Sequence, residues 1–249
     1  MSGLHSRIRL FVDVPLAAHA AVALTEADAH YLSSVMRRKA GESVLLFNGR
    51  DGEWQGTLAA LSRRKAEVAL SHQTRLQAPE PDLWLAFAPI KRTAADFAAA
   101  KATELGAARL IPVITERTVV KRVNTRRLRA NAKEAAEQCE RLSVPEVEDA
   151  SLLKKLLGRW PAERLLAFCD ETREAPFLMD ALRRRDRKPA ENPWAILIGP
   201  EGGFTENERA LLHGLPFAVP ASLGPRLLRA DTAAFAAIAL WQAALGDWA

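Results

Sequence analysis

Trp194-Ala195-Ile196-Leu197-Ile198-Gly199-Pro200-Glu201-Gly202-Gly203-Phe204 is the stretch that decides the fold. Its first five residues form an unbroken apolar run, which reads as a buried strand. Three glycines and a proline follow at once. They make a loop with almost no side-chain bulk, where glycine can take positive φ and let a ligand approach the backbone closely. Thr205-Glu206-Asn207-Glu208 then has the pattern of a capping box, so the loop should lead directly into a helix. A second loop of this kind, Ser222-Leu223-Gly224-Pro225, precedes Leu227-Leu228-Arg229-Ala230-Asp231-Thr232-Ala233 at the start of the last helix. One Gly-Gly turn is an ordinary surface turn. Two bare loops, each leaving a strand and entering a helix, predict a small-molecule site built largely from backbone.

Working back from this stretch, strands and helices alternate. Strands are expected at Leu83–Ala88, Arg109–Ile114, Arg164–Cys169 and Phe217–Val219, with Pro112 marking an edge or a bulge. Helices are expected from Thr93 to Leu105, from Thr125 to Leu142, from Pro176 to Arg184 and from Asp231 to Leu245. Repeated β-α-β units imply an α/β domain with a mostly parallel sheet and helices on both faces. Gln77-Ala78-Pro79-Glu80-Pro81-Asp82 is linker-like and sets a domain boundary. Residues 1–75 before it read as β-rich. Ile8–Val12, Ser43–Asn48, Glu53–Leu58 and Ala66–Leu70 are strand-like, and Asn48-Gly49 and Asp51-Gly52 mark a hairpin turn. Thr25 caps a short helix ended by Gly41. This is a small barrel or curled sheet of the size that binds RNA or protein.

The chain has 249 residues, 49% of them hydrophobic, enough for a real core in one large domain or two modest ones. No apolar run is long enough to cross a bilayer, and the first residues lack the pattern of a signal peptide. Two isolated cysteines, Cys139 and Cys169, fit a reduced, cytoplasmic protein, and the five scattered histidines show no metal-ligand spacing. Net charge is +5. It is concentrated in clusters: Arg37-Arg38-Lys39, Arg63-Arg64-Lys65, the run from Arg117 to Lys133, and Arg183 to Lys188. Any one cluster can be a solvated helix face; four together favour contact with phosphate. A single tyrosine argues against a base-stacking platform. The G-x-G-x-x-G of a dinucleotide-binding domain and the G-K-[ST] of a phosphate loop are both absent.

The motifs Ile198–Gly203, Ser222–Gly224 and Leu227–Ala233 resemble the signature of the SPOUT methyltransferases. Further similarity lies in His30-Tyr31-Leu32 with Val35-Met36-Arg37, in Lys101–Gly106, and in Glu137–Arg141 with Pro145. It covers almost the whole chain and narrows to the bacterial 16S rRNA uridine-N3 methyltransferases. The resemblance implies a C-terminal domain at 82–249 with a deep trefoil knot and a PUA-like RNA-binding barrel at 1–75. It implies S-adenosylmethionine as cofactor, 16S rRNA of the small ribosomal subunit as substrate, a homodimer and no metal. Cofactor binding is expected at Ile198, Gly199, Glu201, Gly203, Leu223, Gly224, Leu228 and Thr232. RNA binding is expected at Arg7, Arg9, Arg37, Arg38, Arg122 and Arg126.

Uridine N3 is protonated at neutral pH and needs a proton acceptor or a cation to become a nucleophile. Arg229 is the expected cation, or else a salt-bridge partner of Asp231 or Glu201. Asp231 is a base or an N-cap; it stands where the family usually has glutamate, one methylene longer. Glu104 is a supporting group or simply an exposed one. The apolar last helix fits burial at a subunit interface and equally within one subunit. Two other functions fit the same motifs: a knotted methyltransferase acting on a ribose 2′-hydroxyl, and an RNA-binding assembly factor that has lost the chemistry.

Overall fold

The computed structural model describes residues 8–89, 92–120, 122–172, 174–184 and 193–248. The chain divides into two compact units, Met1–Pro79 with Ala136–Val144, and Glu80–Ala135 with Pro145–Ala249.

The first unit contains β1 (Arg9–Phe11), β2 (Ala21–Ala23), α1 (Glu26–His30), β3 (Ser43–Phe47), β4 (Glu53–Leu61) and β5 (Ala66–Arg75). They form a five-stranded sheet in the order β1-β3-β4-β5-β2, antiparallel except for the β1–β3 pair. Alternation decides which face is buried: Ala66, Val68 and Leu70 point inward while Glu67 and Ala69 are exposed. The turn between β3 and β4 follows its sequence signal. Gly49 and Gly52 have φ of +77° and +75°, and Asn48 Oδ1 accepts from the amides of Arg50 and Asp51. Register shifts along β4 curl the sheet. β1 and β2 are its two ends, so the expected barrel is an open half-barrel among the described residues.

Thr25 caps α1 by accepting from the Asp28 amide. The chain then widens into one π-type turn over Tyr31–Val35 and leaves the helix well before Gly41, which serves the turn into β3 instead.

Arg9 overturns its expected role. It is 7% exposed, with Nε donating to Glu53 Oε2 at 2.6 Å. Its Nη1 donates to the carbonyls of Ala136 and Glu137, its Nη2 to that of Arg141, and its guanidinium lies 4.4 Å from the Phe47 ring centre. A cation so enclosed, with four of its five N–H donors engaged, holds its own unit together rather than presenting itself to a phosphate. Arg7 lies outside the described residues.

The second unit contains β6 (Leu83–Phe87), α2 (Arg92–Glu104), β7 (Arg109–Ile114), most of α3 (Thr125–Gln138), β8 (Glu146–Val147), β9 (Ser151–Leu152), α4 (Leu153–Leu157), β10 (Leu165–Cys169), α5 (Leu178–Arg183), β11 (Trp194–Ile198), α6 (Glu206–His213), β12 (Ala218–Ala221) and α7 (Ala230–Leu245). The strand order is β12-β10-β11-β6-β7-β8, all parallel, with β9 also beside β7. Every residue of β11 is buried, as its apolar run requires of a central strand. Leu166, Phe168, Leu197, Phe204 and Leu212 build the core on one of its sides. Pro112 has no amide hydrogen, and β7 changes partner from β8 to β9 on either side of it. α3 stops at Gln138 rather than Leu142, and Glu140 just beyond it is left-handed at φ +63°.

The two ends of this sheet are built differently. At the amino ends, Arg164 pairs with Asp82 and stacks 3.5 Å over Trp84. At the carboxyl ends, β10, β11 and β12 open into the glycine-bearing loops. The strand order reverses at β11, and the crevice beyond such a reversal is where open α/β sheets bind ligands.

Candidate functional site

A cavity of about 380 Å³ lies at the carboxyl ends of β10, β11 and β12. Three loops wall it: Cys169–Glu171 after β10, Ile198–Gly203 after β11, and Ser222–Arg229 after β12, with Ala230 and Ala233 of α7 closing one side. Each loop is shaped by local chemistry. Gly203 has φ +67° and its amide closes a tight turn onto the Pro200 carbonyl at 2.8 Å. The capping box of Thr205 and Glu208 then starts α6. Gly224 has φ +101°, a conformation that only glycine adopts readily. The loop after β12 is joined to the segment entering α5: the Ser222 amide donates to the Pro176 carbonyl, and Leu178 donates back to Ser222.

Seven of the residues picked out in the sequence as cofactor contacts line this cavity: Ile198, Gly199, Glu201, Gly203, Leu223, Gly224 and Leu228. Arg229 lines it as well. Its side chain is 83% exposed and its Nε stands 4.0 Å from Asp231 Oδ1, a loose contact that leaves the guanidinium available. Asp231 and Thr232 are not in the wall. Asp231 Oδ1 instead accepts from the Thr232 amide at 2.8 Å, and the N-cap position of α7 is Arg229, so Asp231 is no N-cap. Glu104 forms an exposed ion pair with Lys101 on α2, away from the cavity.

The carboxyl end of β10 adds what the sequence did not suggest. Asp170 is buried; its Oδ1 accepts from the Thr172 amide, and Oδ2 lies 3.9 Å from His213 Nε2. Glu171 is half-buried and its Oε1 accepts from Arg209 Nη1 at 3.0 Å. Burial pushes the Cys169 thiol up to about 12, so it stays protonated near neutrality. Arg226 also lines the cavity and is exposed, and no ion-pair partner is seen for it among the described residues. The cavity thus carries three carboxylates and two guanidinium groups around loops of bare backbone.

The basic clusters divide. Arg117 is committed to the site, donating to the Gly202 carbonyl at 2.8 Å. Arg127 pairs with Asp96 and Arg129 with Asp149. Arg38 pairs with Glu42 at 3.0 Å. Arg37, Arg122 and Arg126 are exposed, with no ion pair among the described residues. Residues 185–188 of the last cluster lie outside the described residues.

Residues 77–242 match an RNA methyltransferase domain family, and residues 24–71 match an RNA methyltransferase PUA domain. The chain is 32% identical over 232 residues to ribosomal RNA small subunit methyltransferase E of Rickettsia conorii, covering 93% of each chain. It is 33% identical to the protein of the same name from Synechocystis, covering 93% of this chain and 76% of that one. Among solved structures, ribosomal RNA small subunit methyltransferase E of Neisseria gonorrhoeae, bound to S-adenosyl methionine, superposes with a TM-score of 0.86 at 27% identity, over 98% of this chain and 100% of that one. A parallel sheet with glycine loops at its carboxyl ends, joined to a curled five-stranded sheet, is therefore the frame of a known kind of enzyme, and the chain belongs to the RNA methyltransferase family.

Proposed function

We propose that this protein transfers a methyl group from S-adenosylmethionine to N3 of a uridine in 16S rRNA of the small ribosomal subunit. The observation that carries the reading is the cavity itself, where bare backbone, acidic side chains and free arginines meet. S-adenosylmethionine is an elongated cation with an adenine ring, and the site fits it. Leu223 and Leu228 offer apolar surface for the ring, the loops at Gly199, Gly203 and Gly224 allow close approach, and the carboxylates oppose the positive charge. Ile198 and Glu201 complete the proposed cofactor set in the wall, and Thr232, outside it, joins the set through Asp231, to whose Oδ1 its amide donates at 2.8 Å. When bound, the cofactor supplies an electrophilic methyl group on a positively charged sulfur.

The chain's own residues prepare the nucleophile. Losing the N3 proton leaves a negative charge shared between two carbonyl oxygens. Arg229, permanently charged and loosely held, stabilises that charge. Asp231, at the same end of α7, accepts the proton. Arg37, Arg122 and Arg126 hold RNA phosphates, with Arg38 contributing outside its pair with Glu42. Residues 1–75 act as the RNA-binding domain and 82–249 as the catalytic one. The chain folds through the trefoil knot of its superfamily, a reading supported by the pairing of Ser222 with the segment entering α5. It works as a homodimer in the cytoplasm. The half-exposed Phe97, packed edge-on against Phe235 of α7, is the kind of apolar surface a second subunit covers. No helix among the described residues is long and apolar enough to cross a membrane.

The test is methyl transfer from labelled cofactor to small subunits that lack the modification, followed by nucleoside mass spectrometry. 3-Methyluridine is expected. A 2′-O-methylated nucleoside, or RNA binding without transfer, would overturn the reading in favour of a ribose methyltransferase or an assembly factor.

A further inference from the structure

We infer that Glu171 touches the cofactor, reading its positive charge, and that Arg209 is the positioning residue that aims it. The inference rests on the S-adenosylmethionine reading above. Glu171 belongs to neither glycine loop; it follows β10 by two positions and reaches the cavity wall from there. Its side chain is 31% exposed, so the carboxylate is partly withdrawn from water without being sealed off. Only one oxygen is committed: Oε1 accepts from Arg209, and no partner is seen for Oε2 among the described residues.

Arg209 does more than pair. The same nitrogen, Nη1, donates to the Phe204 carbonyl at 2.7 Å. One guanidinium on α6 therefore ties the loop after β10 to the loop after β11. Gly203 supports the arrangement from behind, since a Cβ built there would run into the Glu171 carboxylate. The glycine is required by this side chain as well as by its own φ of +67°. A carboxylate held at one oxygen and packed on bare backbone is pre-organised, and its other oxygen is left for a cation. The ligand has two positive centres, the sulfonium and the ammonium of its methionine portion.

Three ligands separate the possibilities by calorimetry: S-adenosylmethionine, S-adenosylhomocysteine, which keeps the ammonium but not the sulfonium, and methylthioadenosine, which has neither. Glu171→Gln should weaken S-adenosylmethionine about tenfold or more and leave methylthioadenosine unchanged. Loss on S-adenosylhomocysteine assigns the ammonium, and its sparing assigns the sulfonium; either result supports the inference. Arg209→Gln should reproduce the same ligand pattern, and the double variant should be no worse than Glu171→Gln alone. Equal loss on all three ligands, additive losses in the double variant, or unchanged S-adenosylmethionine binding would overturn it. A shared loss of thermal stability is read separately from unfolding curves. If the unmodified protein binds none of the three ligands, the cofactor reading itself falls instead.

Discussion

Replacing Gly203 with valine tests the glycine loop most directly. At φ +67° a residue with a side chain costs about 1–2 kcal/mol, and a β-branched one sits at the upper end of that range. The new Cβ would also run into the Glu171 carboxylate and displace it from Arg209. That pair is partly exposed, with side chains 31% and 23% accessible, so its loss adds about 1 kcal/mol at most. Together these come to about 2–3 kcal/mol placed on the segment that shapes the cavity. If that strain is relieved by moving the loop, S-adenosylmethionine affinity should fall about 30- to 150-fold. Domains of this kind have about 5–15 kcal/mol of stability, so the protein should remain folded. Calorimetry measures the affinity and thermal unfolding checks the fold. A folded Gly203→Val protein with the affinity of the parent would remove the loop from the binding site.

Other substitutions separate the roles assigned to the arginines. Arg229→Gln should leave cofactor affinity nearly unchanged and lower single-turnover methyl transfer by about 10²–10³, the usual effect of losing one charge-stabilising donor; a rate within twofold of the parent would exclude it from the reacting centre. Arg122→Gln with Arg126→Gln should reduce the slope of log affinity for RNA against log salt by about 1.4–1.8, two contacts' worth, and an unchanged slope would remove both from the RNA footprint. Arg9→Met should act on stability instead. Glu53 stays buried with only the Thr74 hydroxyl and the 4.0 Å contact with Arg75 to oppose its charge, at a cost of about 3 kcal/mol, the low end for a broken buried pair, which should lower Tm by roughly 6–12 °C, and a Tm within 2 °C of the parent, measured by scanning calorimetry, would contradict the enclosed ion pair.

The parallel sheet and the cavity loops were legible because their signals are local. Trp194–Ile198 is apolar throughout, which suits only a strand covered on both faces, and glycine and proline next to it leave few backbone choices. Glu171 and Asp170 gave no such signal. An acidic pair after a strand looks the same whether it faces a ligand or water, and what distinguishes Glu171 is Arg209, 38 residues later. Arg9 was misread for the same reason: nothing near it in sequence shows that Glu53 lies 44 positions on and 2.6 Å away. The end of α3 was misplaced because its left-handed stop is Glu140, a residue that seldom adopts that conformation, where a glycine would have marked it. The two-residue strands β8 and β9 are too short to carry any periodicity at all.

The walls of the cavity come from residues 169–171, 198–203 and 222–230 with Ala233, and the helix behind the last of them runs to Leu245, where Gln242 anchors it to the Leu105 carbonyl at 2.8 Å. During translation the amino-terminal half is therefore available long before there is anywhere for the methyl donor to sit. A nascent chain of this enzyme can complete its first unit once residues 136–144 have emerged, while it is still chemically inert, and competence arrives only with the final helix.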